Sequence, residues 1–367
     1  MGPDTASLVL AVNSGSSSLK FALFSMREHG EQRITSGTVE PRDGIDGIEL
    51  ALQRLAGYGL DRVDVVGHRV VHGGPLHVQP ARIDAALLAS LRRLVPLAPL
   101  HLPACLAGIE AIARQRPDLS QVACFDTAFH ATLPEVAYTL PLPDRSAELR
   151  RYGFHGLSYE YVMSTLPVRA PARIVIAHLG HGASVVAVKD GRSIDTSMGL
   201  TPSGGLMMGT RSGDLDPATL VYVARQKGYG IDELERLVER ESGLLAIGGT
   251  SDMKRLLARA QTDPAARLAT EMFAYAVRKT IGAFVAALGG IDLLIFTGGI
   301  GERAPWIRAE ACKGLDAFGI ELAGEENARD AAIISSAGSR VQVRVVETDE
   351  DLVIARHARQ AYLTEAR

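Results

Sequence analysis

Five apolar residues, Leu8, Val9, Leu10, Ala11 and Val12, are followed by five small polar ones and a glycine at 13–18, and strand-like composition resumes at 19–24. Short continuous apolar runs suit strands buried on both faces, so the pattern predicts strand, polar turn, strand. The same layout returns at 173–189: apolar residues 174–177, a turn at 178–182 and a return strand at 183–188. Asp190-Gly191 is a hairpin turn signal leading into a further short strand, 193–196. Two such units, one in each half, predict duplicated α/β domains facing each other, with a nucleotide's phosphates between the two turns.

The remaining pattern fills in that plan. Strands are predicted at 34–39, 63–67, 121–125, 291–296 and 341–346. Helical spacing marks 45–58, 83–95, 231–241 and 267–288, the last stopped by Gly289-Gly290, and a final helix runs from Leu352. Residues 195–217 are rich in Gly, Ser and Thr and lack periodicity, as a linker or a functional loop would be. Residues 243–252 and 297–302 read as glycine-rich turns, the second leading into a helix from Trp306. A proline-rich stretch at 140–143 marks the hinge between halves, giving domains 1–150 plus 352–367 and 151–351.

Composition narrows the class. A chain of 367 residues favours two domains, and 47% hydrophobic residues are ample for a core. A net charge of −3 gives no reason to expect nucleic acid or an acidic membrane as partner. Cys105, Cys124 and Cys312 lack metal spacing and suit a reducing cytosol. The start lacks a basic region before its apolar run, and no apolar run approaches the roughly 18 residues of a membrane span. The expectation is a cytoplasmic protein.

Several positions carry candidate chemistry. The turn at 13–18 offers backbone N–H groups and hydroxyls with little bulk, which phosphate needs, and Lys20 adds charge; an ordinary surface hairpin has the same composition. Arg69, flanked by glycines at a strand end, is an anion clamp or one half of a structural ion pair. Asp126 after a buried strand is a helix cap or a Mg²⁺ ligand. His155 beside Gly156 is a packed neutral histidine or a site residue. Arg211 lies among glycines in the long loop. Residues 297–302 lack Walker A and GxGxxG spacing.

Six motifs taken together carry a resemblance: 13–20 (Asn-Ser-Gly-Ser-Ser-Ser-Leu-Lys), 67–74 (Gly-His-Arg-Val-Val-His-Gly-Gly), 125–130 (Phe-Asp-Thr-Ala-Phe-His), 151–156 (Arg-Tyr-Gly-Phe-His-Gly), 208–211 (Met-Gly-Thr-Arg) and 297–302 (Thr-Gly-Gly-Ile-Gly-Glu). In this order, nearly end to end, they resemble the acetate kinase family. The resemblance implies an α/β fold of two duplicated ribonuclease-H-like domains with a central cleft, that of the actin-like ATPase superfamily. It implies reversible transfer of phosphate from ATP to acetate, giving acetyl phosphate and ADP, with Mg²⁺ (Mn²⁺ as substitute), in a homodimer.

The resemblance also assigns roles. Arg69 and Arg211 neutralise charge on acetate and the transferring phosphoryl group; His155 donates a hydrogen bond to it and His101 supports. Asp126 and Glu350 position Mg²⁺, with Asn13 and Ser18 orienting ion and phosphates. Val71, Leu100, Phe154 and Pro202 line a slot for the methyl group. Lys20, Ser18, His178, Gly180, His181, Gly182, Asp252, Met253, Lys254, Gly299, Ile300 and Gly301 meet the nucleotide. The chain departs from the family's usual pattern at some positions. His181 stands where Asn is usual, Lys254 where Arg is usual and Arg303 where Asn is usual; Leu102, Ala104 and Cys105 replace more polar residues, Gly204 replaces a Glu, and the chain is shorter than most members.

Two other acceptor and donor choices stay open: propionate or butyrate in place of acetate, and, because of His181, pyrophosphate or another nucleotide in place of ATP. A non-enzymatic nucleotide-binding module is a third reading; the presence of both arginines and both acidic residues argues against it.

Overall fold

The computed structural model describes residues 6–15, 18–40, 47–58, 62–144 and 146–365. Part of the first predicted turn (Ser16, Ser17) and the start of the 45–58 helix lie outside the described residues. The chain forms two compact units, one of Met1–Ala131, Phe154–Tyr161 and Asp349–Arg367, the other of Thr132–Gly153 and Val162–Thr348.

The first unit is built on a sheet of β1 (Ser7–Ser14), β2 (Leu19–Arg27), β3 (Gly30–Val39), β4 (Val65–Val70), β5 (Ala81–Arg82) and β6 (Ser120–Phe125), in the order β3-β2-β1-β4-β6-β5. β1, β2 and β3 form an antiparallel meander, while β1, β4 and β6 run parallel. Strands β1 and β4 are buried over most of their length, which is why β1 reads as an apolar run without alternation; in β4 the apolar run is broken by Gly67, His68 and Arg69. The helices Gly47–Leu55, Ala85–Arg93 and Leu102–Gln115 supply apolar residues to the unit's core, as does the terminal helix Glu350–Glu365 through Val353, Ile354, Ala355 and Ala358. The helix Leu102–Gln115 was not expected: its Pro-rich entry, 97–103, masks the apolar stripe that follows.

The second unit repeats the plan. β7 (Arg173–Leu179), β8 (Ala183–Lys189), β9 (Arg192–Thr196), β10 (Leu293–Thr297) and β11 (Gln342–Val345) lie in the order β9-β8-β7-β10-β11, which matches β3-β2-β1-β4-β6 strand for strand. The first three again form an antiparallel meander, and β7, β10 and β11 run parallel. Asp190 and Gly191 both have positive φ (49° and 77°), as a two-residue hairpin turn requires. The mixed α/β architecture is therefore duplicated, as expected.

The helix Pro264–Leu288 packs on β7 and β8. Asp263 caps it, accepting from the backbone N–H groups of Ala265 (2.9 Å) and Ala266 (3.3 Å), and Gly289 ends it in the left-handed region at φ 71°. Its buried stripe includes Phe273, Val277, Ile281, Phe284 and Leu288, each contributing about 1.5–3 kcal/mol on burial. Two expectations need correction. Residues 243–252 are not simply a turn, since Gly243–Gly248 is helical, and 297–302 is not a loop, since a helix, Gly298–Arg303, starts directly at the end of β10. Glycine content hid both; Gly298 at φ 74° makes the sharp strand-to-helix change. Among the described residues no helix is long and apolar enough to cross a membrane.

Candidate functional site

In parallel α/β sheets, side chains with freedom to bind sit beyond the carboxyl ends of the strands. In the first unit those ends carry Asn13 (β1), Arg69 (β4) and Asp126 (after β6), held level by the register Val12 to His68 and Val70 to Phe125 and by the bond from Asp126 N–H to the Val70 carbonyl (3.0 Å). Arg69 gathers them. Its Nη1 donates to Asn13 Oδ1 (3.2 Å), its Nη2 is paired with Asp126 Oδ2, and its Nε lies 3.7 Å from Glu350 Oε2. Glu350 opens the terminal helix, 224 residues beyond Asp126 in the chain (350 − 126).

Asp126 is fully buried. Burial pushes its carboxyl up from 3.8 to about 6; Arg69 pulls it down and the neighbouring Glu350 adds to the rise. Burial would depress the Arg69 guanidinium, but Asp126 and Glu350 outweigh it and hold it charged. Asp126 Oδ1 is buried without a hydrogen-bond partner. That orphaned oxygen, a second carboxylate and the Asn13 amide oxygen form a hard donor set of the kind Mg²⁺ takes. No group of three or more His, Cys, Asp or Glu is placed for a metal among the described residues, and Mg²⁺ needs none when phosphate oxygens complete its shell.

His155 sits beside this set. Its φ of 60° is in the left-handed region, a strained choice for a non-glycine residue worth roughly 1–3 kcal/mol. The next residue explains how it persists: Gly156 N–H donates to the Asp126 carbonyl (2.9 Å), and a Cβ there would fall 2.2 Å from that oxygen. Val71 and Phe154 are buried in the same unit, with Leu100 half-buried and His101 at the start of the helix Leu102–Gln115. In the first hairpin, Gly15 N–H donates to the Ser18 carbonyl (2.8 Å), and Lys20 pairs with Asn13 in register and is exposed. Cys105 is buried in the core, and its thiol donates to the Ser14 carbonyl (3.8 Å). Gly108 leaves room for Ser14 Oγ, which a Cβ would approach to 2.5 Å. A cavity of about 380 Å³ lies between this helix and the hairpin, lined by Ser14, Gly15, Ser18, Ala104 and Gly108 among others.

The second unit repeats the arrangement at the ends of β7 and β10. His178, next to the end of β7, stands opposite Thr297, and the turn Gly180-His181-Gly182 is tied by the bond from Gly180 N–H to the Gly182 carbonyl (3.0 Å). A Cβ on Gly298 would fall 2.8 Å from the Leu179 carbonyl, so the start of the helix Gly298–Arg303 lies directly against the end of β7. Gly299 is exposed and Ile300 half-buried at the start of the helix Gly298–Arg303, and Gly301 is buried. The Glu302 carboxylate fixes this end, accepting from Gly298 N–H (2.9 Å) and Thr348 N–H (3.2 Å). The His181 carbonyl accepts from Gly209 N–H (3.1 Å), which ties the long loop to the turn. Burial and then the Arg211 charge push the His181 imidazole below its ordinary value. Arg211 Nη1 donates to the Pro202 carbonyl (3.2 Å), and its Nε is 3.3 Å from Glu239 Oε2. Asp252 caps the helix Met253–Arg259 by accepting from Arg255 N–H (3.2 Å); Met253 is buried and Lys254 exposed.

In the first unit Arg69 brings together Asn13, Asp126 and Glu350; in the second the long loop joins Arg211 to Pro202 and is tied to the His181 turn, while Asp252, Met253 and Lys254 lie at a separate helix start. Glu239, Ser14 and Glu302 were missed as supporting residues. Glu239 sits in a charge-rich helix, Ile231–Arg240, where nothing in the local pattern sets one acid apart from its neighbours.

The family model described as the acetokinase family matches residues 39–356. The chain belongs to the acetokinase family. An acetate kinase of Leifsonia xyli subsp. xyli is 46% identical, covering 97% of this chain and 99% of that protein. Among solved structures, the chain resembles an acetate kinase from Porphyromonas gingivalis (35% identical, TM-score 0.85, 97% and 99% covered). It also resembles a propionate kinase from Francisella tularensis subsp. tularensis SCHU S4 (35% identical, TM-score 0.88, 96% and 99% covered).

Proposed function

We propose that this member of the acetokinase family catalyses reversible, Mg²⁺-dependent phosphoryl transfer between ATP and acetate, giving acetyl phosphate and ADP by direct in-line transfer. The observation that carries the reading is the Arg69 set: one guanidinium held among Asn13, Asp126 and Glu350 at the strand ends of an acetokinase fold.

Acetate is ionised at neutral pH and needs no general base. The barrier lies in bringing one anion to another, so catalysis reduces to alignment and charge neutralisation. Arg69 supplies a planar fork for the carboxylate, and Val71 and Phe154 give the methyl group an apolar wall, with Leu100 and Pro202 in the same role. Arg211 and His155 carry charge and a hydrogen bond to the transferring phosphoryl group, and His101 supports them. Asp126, Glu350 and Asn13 would hold Mg²⁺, which when bound offsets charge on the phosphates; Ser18 and Lys20 assist. The turns at His178, Gly180, His181 and Gly182 and at Gly299, Ile300 and Gly301 meet the nucleotide by close backbone approach, with Asp252, Met253 and Lys254 beside it.

Homodimeric assembly and a cytoplasmic location complete the proposal. The first is supported by the family resemblance, the second by three buried free thiols, which suit a reducing compartment. Rates with acetate, propionate and butyrate, each with ATP, GTP and pyrophosphate, test the reaction by trapping the acyl phosphate as its hydroxamate. Fastest turnover with acetate and ATP supports it; turnover only with a longer acid or only with pyrophosphate replaces it. Light scattering on the eluting protein tests the dimer.

A further inference from the structure

Arg211 lies in a loop without regular structure, yet its guanidinium is fixed on two edges. The Pro202 carbonyl takes Nη1 at 3.2 Å and the Glu239 carboxylate faces Nε at 3.3 Å. Glu239 is itself held. The Ser203 hydroxyl donates to its other carboxylate oxygen, Oε1, and the Thr210 hydroxyl donates to its backbone carbonyl (2.9 Å). Backbone bonds from Ser212 to Val238 (2.9 Å) and from Ser242 to Thr210 (3.0 Å) stitch the loop to the helix Ile231–Arg240 and its exit. The Arg211 and Glu239 side chains are only 14% and 13% exposed, so the pair is largely withdrawn from solvent. An exposed acid on an amphipathic helix would need none of these attachments.

We propose that Glu239 is the positioning residue of Arg211, fixing its guanidinium plane before substrate arrives. This rests on the reading of Arg211 as a residue that meets the transferring phosphoryl group. A free arginine carries about 2 kcal/mol of rotamer entropy. An arginine oriented in advance loses less of it as the transition state forms, so the benefit falls on turnover rather than on substrate affinity. Burial raises the Glu239 carboxyl and Arg211 opposes that rise, so the attachment is mutual.

Steady-state kinetics on wild type, Glu239→Gln, Arg211→Gln and the double variant test this. Glu239→Gln is expected to lower kcat about tenfold or more, to leave KM for ATP and acetate within about twofold, and to add almost nothing in the Arg211→Gln background. A wild-type kcat for Glu239→Gln beside an impaired Arg211→Gln overturns the inference and leaves the Arg211 reading standing. A wild-type kcat for Arg211→Gln overturns that reading itself. Equal losses from Glu239→Gln in both backgrounds indicate a merely structural residue and also overturn the inference. If Glu239→Gln does not fold, Ser203→Ala removes only the hydroxyl on the carboxylate. A smaller kcat loss with KM unchanged supports the inference, and no change overturns it.

Discussion

Gly67 lies against Ile354 so closely that a Cβ on it would fall 2.6 Å from Ile354 Cγ2, and 3.0 Å from both the Ile354 carbonyl and Ala358 Cβ. The terminal helix can therefore rest directly on β4, one turn from Glu350, whose carboxylate reaches Arg69 two residues further along that strand. A packing glycine thus sets the position of a candidate metal-holding carboxylate.

Gly67→Ala follows from this. The extra methyl overpacks the contact between helix and strand and is expected to cost about 1–3 kcal/mol. Turnover should fall as well, because Glu350 moves with the helix. Urea unfolding read beside kcat checks it; unchanged stability would mean that the helix yields freely.

Arg69→Gln should reduce kcat by at least about 10²-fold, the scale of losing one preorganised charge in a transition state. ATP affinity should change far less, since most of the residues assigned to the nucleotide, His178 to Gly182, Asp252 to Lys254 and Gly299 to Gly301, belong to the second unit. Nucleotide titration and turnover on the same preparation separate the two effects.

Stability should fall on mild acidification. Burial pushes the His68 and His130 imidazoles down to about 4, and each is held neutral, donating from Nε2 to Gln121 Oε1 (2.7 Å) and to the Phe154 carbonyl (3.0 Å). Their unfolded forms take up protons below about 6.5, so the stability they contribute is complete above that pH and is lost progressively down to about 4. Each is worth up to about 3 kcal/mol over that window. Asp126, raised from 3.8 to about 6, acts oppositely: its contribution is present below 3.8 and lost as pH rises through 6. Two histidines against one carboxyl give net destabilisation between pH 6.5 and 4. Urea midpoints at pH 7.5 and 5 measure it, and a flat profile would contradict the buried neutral imidazoles.

Val71→Ala should shift acid preference. Removing two methyl groups from the buried Val71 enlarges the apolar wall assigned to the acetate methyl group. One methylene is worth about 1–3 kcal/mol, so kcat/KM for propionate relative to acetate should rise about tenfold. Parallel assays with the two acids decide it; an unchanged ratio moves the methyl slot elsewhere.

By itself, the sequence determined the elements whose signal is local. The apolar runs at 8–12 and 174–177 give two strand–turn–strand units because consecutive residues carry both the burial pattern and the turn. Arg69, Asp126, His155 and Arg211 stood out as candidates because each lies beside a strand end, a glycine or a loop, but local pattern left their parts open and only the resemblance carried by six motifs together assigned them roles. Tertiary structure alone decided which of them meet. Glu350 reaches Arg69 only because the terminal helix returns to β4, and Glu239 reaches Arg211 only because one helix face turns toward a loop 28 residues earlier (239 − 211). Such pairings depend on register, helix rotation and the room left at Gly67, Gly108 and Gly156, which are properties of packed elements and leave no mark on neighbouring residues.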